Sequence, residues 1–144
     1  MKVAYPTIFT DVGNNILIEV PDLGILTEAN EEGKRKGTMA EAIMMARDAI
    51  GIKCISAEDE GRDVPEPSDV LKVDLTKGTF YGEGKSILSL VDVDLVVYRR
   101  ILDNKTVRRN VTIPNWLNQE AEKAHLNVSK VLQEALMSRL GVSR

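Results

Sequence analysis

Short segments rich in apolar, β-branched and aromatic residues alternate with turn residues in the first part of the chain. Two of them, Val3–Phe9 and Ile16–Val20, have the composition of strands. Gly13-Asn14-Asn15 lies between them and predicts a turn, because Gly and Asn tolerate a positive φ. The two segments therefore predict a β-hairpin. Further strands are predicted at Leu23–Thr27, Val70–Leu75 and Ile87–Val97.

One helix is predicted between these strands. Thr38-Met39-Ala40-Glu41 matches the capping box, in which the threonine and glutamate side chains each accept a hydrogen bond from an otherwise unpaired backbone amide. Gly51 is predicted to end this helix in a left-handed turn. Strands that bracket a single helix predict an α+β unit with the helix on one face of a sheet, and Ile87–Val97 is apolar enough to be the central strand. Apolar residues recur after the cap at helical spacing: Ala42, Ile43, Ala46, Ala49 and Ile50.

The end of the chain predicts a strand followed by two helices. Pro114 ends the strand and begins a helix that runs to about His125. Asn127-Val128-Ser129 supplies a turn, with Ser129 as the N-cap of a second helix that ends before Gly141. A period of two over 107–113 places Arg108, Asn110 and Thr112 on one face and Val107, Arg109, Val111 and Ile113 on the other. The helices carry apolar stripes of Leu117, Ala121 and Ala124, and of Val128, Val131, Leu132, Ala135, Leu136 and Leu140.

This final segment is too small to fold alone, because its strand has no pairing partner and its helices cover little apolar surface. A second copy completes it if the two strands pair antiparallel. The polar face of that ribbon would present Arg108, Asn110 and Thr112 to base edges in the DNA major groove. Phosphate contacts are predicted for Lys105, Arg109, Ser129 and Lys130. The order of elements resembles ribbon-helix-helix DNA-binding proteins, and the alternative is a dimerisation module that does not bind DNA.

Charge is unevenly distributed along the chain. The 144 residues include 19 Lys+Arg and 22 Asp+Glu, a formal net charge of −3. Residues 1–98 have 10 basic and 18 acidic side chains, a net charge of −8. Residues 99–144 have 9 basic and 4 acidic side chains, a net charge of +5. This asymmetry divides the chain into an acidic domain, 1–98, and a basic domain, 99–144, and predicts two partners of opposite charge.

Composition excludes several kinds of site. The single Cys54 excludes an internal disulfide, and with the single His125 the usual zinc ligand sets cannot form. No apolar run approaches the roughly 20 residues that span a bilayer, and the start of the chain lacks the layout of a signal peptide, which predicts a cytoplasmic protein. Asp92 and Asp94 share a strand face and could hold a divalent ion, but the sequence identifies no third ligand. No metal and no cofactor are predicted.

Motifs along nearly the whole chain match one known family. The first part contains Tyr5-Pro6 with Phe9, Val20-Pro21-Asp22-Leu23, Thr38-Met39-Ala40-Glu41-Ala42 and Val64-Pro65-Glu66-Pro67-Ser68. The second part contains Val91-Asp92-Val93-Asp94-Leu95, Tyr98-Arg99-Arg100, Asn104-Lys105, Val111-Thr112-Ile113-Pro114-Asn115-Trp116-Leu117 and Ser129-Lys130-Val131-Leu132-Gln133-Glu134-Ala135-Leu136. With these motifs the chain resembles the HicB antitoxin family. The resemblance is looser over Gly24–Gly37, where the family often has a Pro-Gly-Cys turn.

The resemblance implies a partial RNase H-like fold in the first domain and a ribbon-helix-helix fold in the second. It also implies an antitoxin that occludes the active site of a small basic HicA-type RNase toxin. The protein is predicted not to be an enzyme, because the sequence shows no complete acidic metal-binding set, and it is predicted to be a homodimer through its second domain. Such a protein represses its own operon by binding operator DNA, and pairing of two dimers into a tetramer stays open. Two alternatives remain. One is a stand-alone ribbon-helix-helix repressor whose acidic domain senses a ligand or a protein, and the other is a hydrolase that uses Asp92 and Asp94.

Overall fold

The computed structural model describes residues 1–30, 35–103 and 105–142. It divides into two compact units, Met1–Leu102 and Asp103–Arg144, each of which is described by itself. Asn104, which belongs to one of the motifs above, lies outside the described residues. The boundary drawn from charge after Tyr98 falls inside a helix, so the structural boundary lies four residues later. With it, residues 1–102 have 12 Lys+Arg against 18 Asp+Glu, a net charge of −6, and residues 103–144 have 7 against 4, a net charge of +3.

A four-stranded antiparallel sheet forms the first unit. Its strands are β1 (Lys2–Asp11), β2 (Ile16–Val20), β3 (Ile25–Glu28) and β4 (Lys85–Asp94), in the spatial order β3-β2-β1-β4. The predicted hairpin and third strand are confirmed. The predicted central strand is instead at the edge of the sheet, and it ends at Asp94, where helix α2 (Leu95–Leu102) begins. The strand predicted over Val70–Leu75 is wrong, because that segment forms short 3₁₀ turns.

Helix α1 (Met39–Asp59) packs on one face of this sheet. The capping box is present as predicted: the Glu41 amide donates to the Thr38 hydroxyl at 3.2 Å, and the Thr38 amide donates to the Glu41 carboxylate at 3.5 Å. No helix in the described ranges is both long and apolar enough to cross a membrane. The core between α1 and the sheet includes Tyr5, Phe9, Ile16, Ile18, Val20, Ala42, Ala46, Ile50, Cys54, Val91 and Val93.

Gly51 does not end α1, as the sequence predicts, but lies inside it against α2. A β-carbon at Gly51 would lie 2.5 Å from Cδ1 of Tyr98 and 2.7 Å from its Cε1. Tyr98 is 9% exposed, and its hydroxyl donates to the Asp48 carboxylate at 2.9 Å. Burial, and then the hydrogen bond to Asp48, raise the pKa of Tyr98 to about 12. Gly51 is therefore a contact point between two helices.

Replacing Gly51 with alanine is expected to destabilise the protein. Alanine favours a helix interior by about 1 kcal/mol over glycine, yet here the added methyl group meets the Tyr98 ring, whose hydroxyl is held by its hydrogen bond to Asp48. Overpacking of this kind costs about 1–3 kcal/mol, so the free energy of unfolding should fall, as measured by urea denaturation. Gly82→Ala is the control, because nothing lies within 4 Å of the β-carbon it adds. A Gly51→Ala variant at least as stable as wild type would contradict this packing.

The second unit contains two helices, α3 (Asn115–Lys123) and α4 (Val128–Leu140). Both predicted helices are confirmed, although α3 ends two residues before His125. Gly141 follows α4 in the left-handed conformation, with φ 65°, as predicted. Residues 105–114 have no regular secondary structure in the single chain. The predicted strand at 107–113 needs a pairing partner to form a ladder, so its formation stays a prediction.

Candidate nucleic-acid interface

The three side chains predicted to read bases all lie on the 105–114 segment. Arg108, Asn110 and Thr112 are exposed. Within the part of the chain that the structure describes, none of the three has a hydrogen bond or an ion pair. Their donors and acceptors are therefore available to a ligand.

A groove of about 510 Å³ brings part of the predicted site together. It places Arg108 and Arg109 beside Ser129, in the first turn of α4. Lys105, Asn110, Thr112 and Lys130 do not line it. Its lining consists of Thr106, Val107, Arg108, Arg109, Ser129, Leu132, Gln133 and Leu136. Two guanidinium groups near a helix N-terminus form an electropositive surface that suits a phosphate.

The N-cap of α4 is Asn127, which corrects the predicted cap at Ser129. The Asn127 side-chain oxygen accepts a hydrogen bond from the Lys130 amide at 3.1 Å. An N-cap of this kind contributes about 1 kcal/mol to helix stability. With Asn127 as the cap, the Ser129 hydroxyl is not used to hold the helix. The signal was present in the sequence, because Asn is as good a cap as Ser and lies two residues earlier.

A second cavity, which is apolar and has a volume of about 350 Å³, lies between the 105–114 segment and the two helices. It is lined by Val111, Ile113, Leu117, Ala121, Leu126, Val128, Val131, Leu132 and Ala135. Val111 and Ile113 line it and Asn110 and Thr112 do not, as the predicted alternation requires over 110–113. The first part of the segment does not alternate in this way, because Val107, Arg108 and Arg109 line the other groove together. Most residues of the apolar stripes predicted for the two helices also line this cavity, whereas Ala124, Leu136 and Leu140 do not.

The second unit leaves this apolar surface largely uncovered. None of its described residues is buried. Val131 is 45% exposed, Ile113 is 42% exposed and Leu117 is 41% exposed. Folded units of this size are stable only when such side chains are removed from water. Their burial contributes about 25 cal/mol of stabilising free energy per Å² of apolar surface. The described residues of the second unit therefore form no buried core of their own.

No protein-family model and no curated protein matches the chain. A chain of the solved toxin–antitoxin complex from Streptococcus pneumoniae is similar to it over 96% of this chain and 99% of that chain. The TM-score is 0.57 and the sequence identity is 22%. The two chains share a fold. The shared fold extends over both units, so the combination of an α+β unit with a two-helix unit is common to the two proteins.

The two carboxylates considered as metal ligands have protein partners. Arg47 contacts Asp92 twice: its Nη2 lies 3.2 Å from Oδ1, and its Nε donates to the backbone oxygen at 2.9 Å. Asp94 caps α2, since its Oδ1 accepts from the amides of Val96 and Val97 at 3.1 and 3.3 Å. Among the described residues, no group of three or more His, Cys, Asp or Glu side chains could hold a metal ion. Asp92 and Asp94 thus each contact groups of this chain in the structure.

Proposed function

We propose that the protein is a HicB-type antitoxin with two targets, and that it is not an enzyme. It neutralises a small basic RNase toxin of the HicA type through its first unit, and it represses its own operon through its second. The observation that carries this proposal is the fold it shares, over 96% of its length, with a chain of a toxin–antitoxin complex. Both targets lie in the cytoplasm.

The proposed DNA-binding form is a homodimer of the second unit. A second copy would cover the apolar cavity around Leu132, and the two 107–113 segments would pair as an antiparallel ribbon. In that ribbon Arg108, Asn110 and Thr112 contact bases in the major groove. Lys105, Arg109, Ser129 and Lys130 contact the backbone phosphates and fix the register on the duplex. The ribbon-helix-helix form of the unit is part of this proposal.

The proposed toxin-binding part is the first unit, whose net charge of −6 suits a basic partner. Complementary charge accelerates association and excludes partners of the wrong sign. The second unit has a net charge of +3 and binds the polyanionic DNA. The proposal thus accounts for the uneven charge by giving each unit its own partner.

Binding to the DNA upstream of the protein's own reading frame tests the repressor half. We expect tight binding that weakens steeply as salt rises, because each phosphate contact releases counterions, with a slope of about −0.9 per contact in log–log form. Fluorescence anisotropy over a salt series measures this. A fragment of equal length and shuffled sequence is the control. Equal affinity for the two fragments at every salt concentration would contradict a sequence-specific repressor.

A further inference from the structure

The sheet of the first unit has two faces that are covered differently. Ile16, Ile18 and Val20 point toward α1 and are at most 4% exposed. The residues between them point to the opposite, outer face. Register fixes which residues share that face, because directly paired residues lie on the same side. The pairs are Leu17 with Glu28 and Glu19 with Leu26.

The segment after α1 covers only part of this outer face. Over β1, Gly78 approaches Ile8, and a β-carbon on that glycine would lie 3.2 Å from the Ile8 Cδ1. Ile8 is accordingly 3% exposed. The Thr79 amide donates to the Glu19 carboxylate at 2.9 Å, which holds the segment at β2. Leu26, one strand further out, stays 55% exposed.

The uncovered part forms a groove of about 450 Å³, here called the outer groove. It is lined by Leu17, Leu26, Thr27, Glu28 and Phe80. Leu17, Leu26 and Phe80 give it an apolar floor. It runs along β3, which is the edge strand on this side of the sheet. Large apolar side chains on the rim of an edge strand favour the docking of another protein.

Carboxylates flank this floor without cationic partners. The Glu28 carboxylate accepts a hydrogen bond from the Asn15 side-chain amide at 3.1 Å, and Glu19 is held by Thr79. Within residues 1–30, 35–103 and 105–142, no Lys or Arg nitrogen lies within 4.0 Å of either carboxylate. The carboxylates of Asp11, Glu41 and Asp92, by contrast, are paired with cations. The outer groove is thus apolar at its centre and negative at its margin.

We infer that the outer groove is the docking site for the small basic protein that this chain neutralises, an inference that rests on the proposed function. An apolar side chain of that partner would lie on Leu17, Leu26 and Phe80, and its Lys or Arg side chains would pair with Glu28 and Glu19. A desolvated apolar centre with a charged margin is the usual anatomy of a protein–protein interface. The net charge of −6 on the unit favours a basic partner. It disfavours a second copy of the unit, because two units that each have a net charge of −6 repel one another.

The test compares two arginine substitutions in the full-length protein. Leu26→Arg places a cation at the centre of the outer groove, whereas Ile52→Arg places one on α1, at a side chain of similar exposure, 50% against 55%. The partner is the small basic protein encoded by the adjoining reading frame, and its affinity for each variant is measured by titration calorimetry. We expect Leu26→Arg to weaken binding by about 30-fold or more, as for a central interface residue, and Ile52→Arg to leave it within about threefold. Thermal unfolding confirms that both variants fold.

Three other results of this experiment would each contradict a different part of the account. Equal affinities of the Leu26→Arg and Ile52→Arg variants would overturn the outer groove as the docking site and leave the proposed function intact. Failure of the wild-type chain to bind the neighbouring protein would overturn both. A change in the mass of the free chain on Leu26→Arg alone, measured by light scattering, would assign the outer groove to a second copy and also overturn the inference.

Discussion

Replacing Leu132 with aspartate is expected to abolish both dimerisation and specific DNA binding. Leu132 lines the apolar cavity and also the groove that contains Arg108 and Arg109, so it lies where the two features meet. In the proposed dimer its side chain is buried, and an unpaired carboxylate there would cost several kcal/mol. Light scattering should show the monomer mass, and anisotropy should show no preference for the operator fragment.

Gln119→Asp is the matched control for this experiment. It introduces the same carboxylate on α3, at an exposed side chain that lines neither cavity. We expect the Gln119→Asp variant to keep the dimer mass and to lose only a few-fold in DNA affinity, from the added negative charge. A Leu132→Asp variant that remains dimeric would contradict the assembly of the second unit through its apolar cavity.

The combined substitution Arg108→Ala and Asn110→Ala is expected to remove most of the preference for operator over random DNA. Arginine and asparagine recognise guanine and adenine edges, and each well-placed pair contributes about 1–3 kcal/mol of discrimination. Two such losses in each of the two chains of the dimer would lower the discrimination between specific and non-specific DNA by about 4 kcal/mol or more, and with it the ratio of the two affinities. Neither side chain has a described partner within the chain, so the fold should be unaffected. Competition binding against the shuffled fragment measures this ratio.

Arg139→Ala is the control that distinguishes the loss of a base contact from the loss of a positive charge. Arg139 is an exposed cation in the last turn of α4, away from both cavities. Its loss should weaken binding to all sequences similarly and leave the ratio unchanged. If the double variant keeps the wild-type ratio, the assignment of Arg108 and Asn110 to bases is wrong.

Local chemistry made part of the fold predictable from the sequence. The β1–β2 hairpin followed from its turn residues, and the start of α1 followed from the capping box at Thr38. Gly141 was correctly placed after α4 because a left-handed residue was needed there. In each case the signal lies within a few residues of the feature it controls.

Contacts distant in sequence decided the features that were predicted wrongly. Gly51 does not end α1 but provides the space that the Tyr98 ring, 47 residues later, occupies beside the helix. The segment Val70–Leu75 has strand composition, but the side chains of Asp69 and Asp74 accept from the Leu71 and Thr76 amides and turn the backbone. Pattern alone does not reveal such competition.

The two candidate sites also differ in whether local sequence or contacts distant in sequence determine them. Alternation along 107–113 predicts a shared face for Arg108, Asn110 and Thr112 without any tertiary information. The structure agrees at 110–113, whereas Arg108 lines one groove together with Val107 and Arg109. The outer groove could not be predicted, since it exists only because β2 and β3 pair in one register and because Thr79 binds Glu19 from 60 residues away. The sequence pattern at Leu26 is that of an ordinary strand residue.

Growth of a bacterial host that expresses the protein from the adjoining reading frame tests the central claim most directly. We predict that the neighbouring protein alone arrests growth, and that co-expression of this chain restores colony counts to those of an empty-vector control. The expected cause is direct capture by the acidic unit, with its net charge of −6. Growth arrest that persists at full co-expression of this chain would contradict the account.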